Sequence, residues 1–145
     1  MSFSTDVKNE LVRLEESNGC CIRSELAALL WMGGVVSFGG QRMLGLRFIT
    51  ESAAVARKVL RALKKEEISE TEVKVIRALR LKKNNSYELR AAPSLAVVNF
   101  LTKMGILSDG VLLDRPDNPP RRACCRKAWL RGAFLGGGSI NRPEV

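Results

Sequence analysis

Two adjacent-cysteine pairs, 104 residues apart, constrain this chain more than any other feature. Sliding the sequence by that offset places Cys20 on Cys124, Cys21 on Cys125, Arg23 on Lys127, Leu26 on Leu130, Gly33 on Gly137 and Gly34 on Gly138. The positions between them are mostly small or apolar in both copies. A segment that recurs with its start and end intact is one structural unit used twice, and it implies two similar units related by a pseudo-two-fold axis. Small residues at Ala27, Ala28, Gly33, Gly132, Ala133, Gly136 and Gly137 allow two such helices to approach closely along that axis.

The remaining chain arranges itself around this repeat. Val7, Leu11 and Leu14 fall at helical spacing in an amphipathic segment from Thr5 to Glu16, which Asn18-Gly19 stops. A second helix is predicted from Arg23 to about Gly34; apolar almost all round, it belongs at the centre. VVSF and MLGLRFIT flank Gly39-Gly40-Gln41-Arg42 as a hairpin. Glu51 to Lys65 reads as a helix with Ala56, Val59, Leu60 and Leu63 inward and Arg57, Lys58, Arg61, Lys64 and Lys65 largely outward. Two further strand-like runs join through Lys82-Lys83-Asn84-Asn85, and Pro93-Ser94 opens a helix that reaches about Met104 and ends at Gly105. The expected class is α+β, in the order α-ββ-α-ββ-α behind a leading helix. Its divisions are a leading helix (1–19), a first repeat (20–113), a Pro-rich linker (114–123) and the start of a second repeat (124–145). Pro116, Pro119 and Pro120 keep helix and interior strand out of the linker.

Composition narrows the chemistry. The 145 residues contain no histidine, which removes Ser-His-Asp and Cys-His catalysis and every histidine-ligated metal site from this chain. Lys and Arg number 24 against 15 Asp and Glu, and the net charge of +9 suits a polyanionic partner. No apolar run approaches the ~18–20 residues of a membrane span. Acids interrupt the N-terminal segment where a signal peptide needs an apolar core. A soluble cytoplasmic protein is expected, with no membrane partner and no small-molecule substrate.

LAALLWMGG (Leu26–Gly34) and LRGAFLGGG (Leu130–Gly138) resemble the paired helices of the LAGLIDADG homing endonucleases. More closely, the chain resembles the bacterial WhiA family of sporulation and cell-division regulators. The stretches that carry this are MSFSTDVKNEL, CCIRSELAALL, ESAAVARKVLRALKK, RLKKNNSYELR and CCRKAWLRGAFLGGGSINRPE. The resemblance implies a two-repeat LAGLIDADG-like domain joined to a C-terminal helix-turn-helix, with roles in transcription, cell division, chromosome segregation and sporulation. This chain would hold the first repeat and only the start of the second, truncated or completed by dimerisation, without the helix-turn-helix. In the endonucleases the penultimate motif position carries the acid that binds the divalent cation. Gly33 and Gly137 occupy it here, and glycine offers no oxygen ligand. A nuclease would then need acids from elsewhere, such as Glu25 or Asp109, so no catalytic residue is assigned.

The resemblance further implies that the sheet meets duplex DNA. With Leu44, Leu46 and Phe48 on the core, Arg47 faces outward; with Val73, Val75, Leu79 and Leu81 inward, so do Lys74 and Arg80. Tyr87 and Leu89 inward put Glu88 and Arg90 outward, and Lys82, Lys83 and Asn84 stand at the hairpin tip. Arg47, Lys74, Arg80, Lys82, Lys83, Asn84 and Arg90 are therefore the candidate DNA-binding residues, the cations for phosphates and Asn84 for base edges. The expected partners are double-stranded DNA, as a nonspecific or auxiliary contact in the nucleoid, and other transcription proteins. A protein-interaction scaffold that leaves DNA alone is the alternative. Neighbouring cysteines on a helix diverge by ~100°, so one pair cannot readily chelate by itself. The two pairs either meet across the pseudo-axis in a four-cysteine zinc site or remain reduced thiols. Reduced thiols are the expectation, with no metal, cofactor or disulfide.

Overall fold

The structure, a computed structural model, describes residues 3–14, 18–66, 68, 71–77, 85–113 and 120–140. A leading helix, α1 (Phe3–Val12), precedes the central helix α2 (Gly19–Gly33). Asn18 does more than stop α1. Its side-chain oxygen accepts from the Cys20 N–H at 3.4 Å, so α2 starts four residues before Arg23 and takes both cysteines into its first turn. The chain then passes directly into β1 (Gly34–Phe38) and turns back as β2 (Leu44–Thr50). Gln41 and Arg42 hold positive φ angles in that turn.

Ser52 caps α3 (Ala53–Lys65), accepting from the Val55 N–H at 3.2 Å, so this helix starts two residues after Glu51. β3 (Thr71–Ile76) and β4 (Ser86–Ser94) pair antiparallel, as the second hairpin requires, while the turn at 82–84 lies outside the described residues. Ser94 caps α4 (Leu95–Lys103), and Gly105 takes φ +76° just past its end. A two-stranded ladder follows, β5 (Leu107–Ser108) with β6 (Val111–Leu112), turning through Asp109 and Gly110 at positive φ. Residues 114–119 of the linker lie outside the description, and α5 (Ala123–Gly137) begins one residue before Cys124.

The main sheet has strand order β1-β2-β4-β3, all antiparallel. Helices cover one face of it. Leu29 and Leu30 from α2, Val59 and Leu63 from α3, and Val97 and Leu101 from α4 meet Leu46, Phe48 and Leu89 there. Val73 and Val75 share that side of the sheet, since they pair with buried Leu89 and with Tyr87. Expected inside, each is nevertheless 49% exposed, because β3 is the edge strand and the helices cover it only in part. A register shift lies between Leu44 and Leu46, where Leu44 faces Ser94 and Leu46 faces Ala91.

Across α2 lies α5, parallel to it, with Cys21 beside Cys125 at one end and Gly33 beside Gly136 at the other. A Cβ at Gly132 would strike the Glu25 carbonyl, and one at Gly136 the Leu29 carbonyl. The repeat thus becomes a seam of backbone on backbone, with Ala28 and Ala128 also buried. α1 is tied to the same helix. Lys8 Nζ stands 5.6 Å from the Phe134 ring centroid, and Ser4 exchanges hydrogen bonds of 2.9 and 2.8 Å with the Ile140 carbonyl and N–H.

Gly132→Ala is expected to cost about 3 kcal/mol or more, the top of the ~1–3 kcal/mol range for overpacking, because backbone atoms cannot swing aside. Gly40→Ala, with nothing within 4 Å of the added carbon, should stay within ~0.5 kcal/mol. Urea denaturation of the two variants checks the difference.

Candidate nucleic-acid interface

The face of the sheet turned away from the helices carries its charge in two rows. One runs Val35, Arg47, Arg90, Glu72 across β1, β2, β4 and β3; the next runs Ile49, Glu88, Lys74 across β2, β4 and β3. Strand alternation places these side chains together, as the sequence parity anticipates for Arg47, Lys74 and Arg90. A shallow groove of about 730 Å³ opens here, with Val35, Ser37, Arg47, Glu72 and Arg90 in its lining. The other candidates, Arg80, Lys82, Lys83 and Asn84, lie outside the described residues.

Glu88 changes the electrostatics of this face. It is only 7% exposed, lying beneath the two arginines, and its Oε1 is 3.3 Å from Arg47 Nε and 3.0 Å from Arg90 Nη2. One carboxylate therefore orients two guanidiniums. Each guanidinium has five N–H donors, so the contact leaves donors on both arginines for a second acceptor. The signal was available in sequence, since Glu88 and Arg90 are two apart on a strand and must share a face.

A second charged constellation is buried at the helix seam. Glu25, 1% exposed in α2, turns Oε2 to Arg131 of α5, whose Nε and Nη2 donate at 2.9 and 2.6 Å. Lys58 of α3 forms an ion pair with Oε1, an oxygen that has no hydrogen bond of good geometry. Lys58 is thus the exception among the α3 cations expected to point outward; it turns inward because a buried carboxylate needs a counter-charge. The sequence offers Glu25 only as an acid that a nuclease could borrow, because its partners Lys58 and Arg131 are distant along the chain.

Of the two nuclease positions, Gly33 has no room for a side chain, while a Cβ at Gly137 would meet the Met32 carbonyl oxygen at 3.1 Å. A Cβ at Gly33 would lie 2.6 Å from a Phe48 ring carbon and would also strike the Gly136 carbonyl. Glu25, the substitute ligand, has both oxygens facing cations, while Asp109 sits exposed in the β5–β6 turn.

The four cysteines converge at the start of the seam, with all four Sγ atoms within 4.8 Å of one another. The divergence expected of neighbouring helical residues does not keep each pair apart, because the first turns of two parallel helices face each other. Cys125 donates to Cys20 Sγ at 3.2 Å, Cys20 donates to Asn18 Oδ1 at 3.1 Å, and Cys21 and Cys125 lie 3.9 Å apart. The hydrogen bond from Cys125 lowers the Cys20 pKa, with Arg122 adding its charge; burial pushes the Cys21 thiol up, and donation to Cys20 raises Cys125. No disulfide joins them.

A helix pair seamed by glycine, packed on a four-stranded antiparallel sheet, defines a LAGLIDADG-like domain. The profile of the WhiA N-terminal LAGLIDADG-like domain matches residues 19–107, and the chain belongs to the WhiA family. Three curated relatives carry the name "Probable cell division protein WhiA". That of Alkaliphilus metalliredigens is 40% identical over 149 residues, covering 99% of this chain and 47% of its own length. That of Desulforamulus reducens is 44% identical over 151 residues, covering 99% and 46%. That of Bacillus subtilis is 38% identical over 147 residues, covering 100% and 45%. The chain therefore spans just under half the length of these relatives. Two crystal structures share the fold at 22% identity. The full-length DUF199/WhiA from Thermatoga maritima has a TM-score of 0.60 and covers 99% of this chain and 42% of its own. The N-terminal LAGLIDADG domain of DUF199/WhiA has a TM-score of 0.66, with 97% and 60% covered. Among the described residues, no helix is long and apolar enough to cross a membrane.

Replacing Glu25 with Gln leaves Lys58 and Arg131 partly buried without their counter-charge. A loss of about 3 kcal/mol is expected, at the low end of the ~3–5 kcal/mol for breaking a buried pair because Lys58 retains some solvent. Chemical denaturation at neutral pH measures it.

Proposed function

We propose that this chain is the non-catalytic, LAGLIDADG-like part of a WhiA-type regulator of cell division, chromosome segregation and sporulation, and that its sheet makes an auxiliary contact to duplex DNA. The observation that carries the proposal is the grouping of Arg47, Arg90 and Lys74 on one exposed sheet face, with the two guanidiniums oriented by Glu88. Such cations neutralise phosphates and release counterions, while sequence reading falls to groups that reach base edges. The net charge of +9 assists the encounter. Gly33 and the neutralised Glu25 argue against phosphodiester cleavage, which needs carboxylates free to hold metal ions. A nucleoid location and contacts with other transcription proteins belong to the same proposal.

A protein-docking reading draws on a different observation. Val73 and Val75 are half exposed on β3, the edge strand among the described residues, and an apolar strand edge suits another polypeptide.

Fluorescence anisotropy of a labelled duplex, between about 50 and 200 mM salt, separates the two. Three phosphate contacts by the sheet contribute roughly −0.9 each to the slope of log K against log salt. Arg47→Ala with Arg90→Ala should flatten that slope by roughly 2. Glu88→Gln, which frees both guanidiniums of their shared anion, should tighten binding at low salt. Absence of binding at the lowest salt, or affinity indifferent to all three substitutions, overturns the DNA reading in favour of the protein-docking one.

A further inference from the structure

We propose that Cys20, Cys21, Cys124 and Cys125 bind one Zn²⁺ as a closed four-thiolate site that staples α2 to α5 at the head of the seam. Geometry is the first ground. Zinc takes thiolates tetrahedrally at ~2.3 Å, which sets the sulfur–sulfur edges at ~3.8 Å. Here all four Sγ atoms lie within 4.8 Å of one another, with two of the separations at 3.2 and 3.9 Å. These separations bracket the tetrahedral edge.

The donor set selects the metal. Four soft sulfurs, with no oxygen or imidazole among them, favour Zn²⁺ over the hard cations that phosphodiester chemistry uses. Four protein ligands leave no open coordination position, so the site is structural.

Electrostatics supplies a second, separate ground. A zinc tetrathiolate carries two negative charges, and this one sits at the N-termini of two parallel helices, where peptide dipoles favour anions. Arg122, the N-cap residue of α5, adds a positive charge at the same end of the seam. Arg126, exposed, lies in the first turn of α5, and Arg23, also exposed, follows the first turn of α2. Cys20 Sγ already accepts a hydrogen bond from Cys125 at 3.2 Å across the two helices. Deprotonated Cys21 and Cys125 are costly where they are buried, and a divalent cation removes that cost. Two cysteines beside each other on one helix span one edge of the tetrahedron, and the glycine contacts at 132 and 136 hold the second helix close enough to supply the opposite edge.

Cobalt tests the proposal, because tetrahedral Co²⁺–thiolate sites absorb strongly in the visible while hydrated Co²⁺ does not. The reduced protein, purified without chelator and titrated anaerobically with Co²⁺, is expected to show intense d–d bands and a sulfur-to-cobalt charge-transfer band. Both should saturate at one ion per chain and vanish when one equivalent of Zn²⁺ is added. Cys124→Ser, at the exposed ligand, and Cys20→Ser are expected to retain the circular dichroism of the parent. Each should weaken Zn²⁺ binding, in competition with a chromophoric chelator, by about a hundredfold or more, exceeding the ~10–100-fold cost of losing a mere outer-shell partner. Weak, octahedral-type absorption in the parent protein overturns the site, whatever the variants do. So does unchanged affinity in folded variants, or a stable Cys20–Cys125 disulfide in a protein that takes up no metal after reduction.

Discussion

The contact between the Gly132 and Gly136 positions of α5 and the carbonyl oxygens of α2 is the constraint on which this domain depends. Helices normally stand 8–10 Å apart because side chains intervene. Where glycine removes the side chain, backbone meets backbone, and whatever lies along the seam is shielded from water. Ala28 and Ala128 become fully buried, and four sulfur atoms are drawn together at one end. At the other, Gly33 is pressed between Gly136 and Phe48. That pressure leaves no place at Gly33 for the metal-binding acid of the nuclease pattern. There, absence of the acid and closeness of the seam are one feature of the packing.

Charge along the seam follows the same logic. Glu25 is fixed between Lys58 of α3 and Arg131 of α5, so one buried carboxylate joins three helices drawn from both copies of the repeat. Two apolar faces would slide or rotate with little penalty, whereas an ion pair satisfied in a single arrangement sets the register. Glu88 plays the matching part on the sheet, holding Arg47 and Arg90 in one orientation from below. Both carboxylates sit under cations that remain partly in contact with water.

Most of the architecture was legible in the residues. The repeat, both main hairpins, the three helices over the sheet and the outward placement of Arg47, Lys74 and Arg90 follow from periodicity and turn chemistry. Helix starts were less so, because a cap acts through one side-chain hydrogen bond: Asn18 and Ser52 each moved a boundary. The β5–β6 ladder escaped notice since two-residue strands carry no period. Val73 and Val75 obey their alternation yet remain half exposed, because alternation reports the face and not what covers it. Pairings that close across the fold were beyond reach. Lys58 with Glu25, and one cysteine pair with the other, depend on the angle and separation of two helices that share no local sequence.

The parallel seam also dictates an order of assembly. Cys21 and Cys125 are 104 residues apart, while the sheet and the helices over it draw their core chiefly from residues 26–107. On a ribosome the sheet layer can close before α5 has been made, whereas the seam must wait for it. During that interval α2 presents Cys21, Glu25 and Ala28 to solvent. A carboxylate in the middle of this waiting face keeps it hydrated, and the same carboxylate later receives Arg131. The ion pair that ties α2 to α5 is therefore among the last contacts of the domain to be completed.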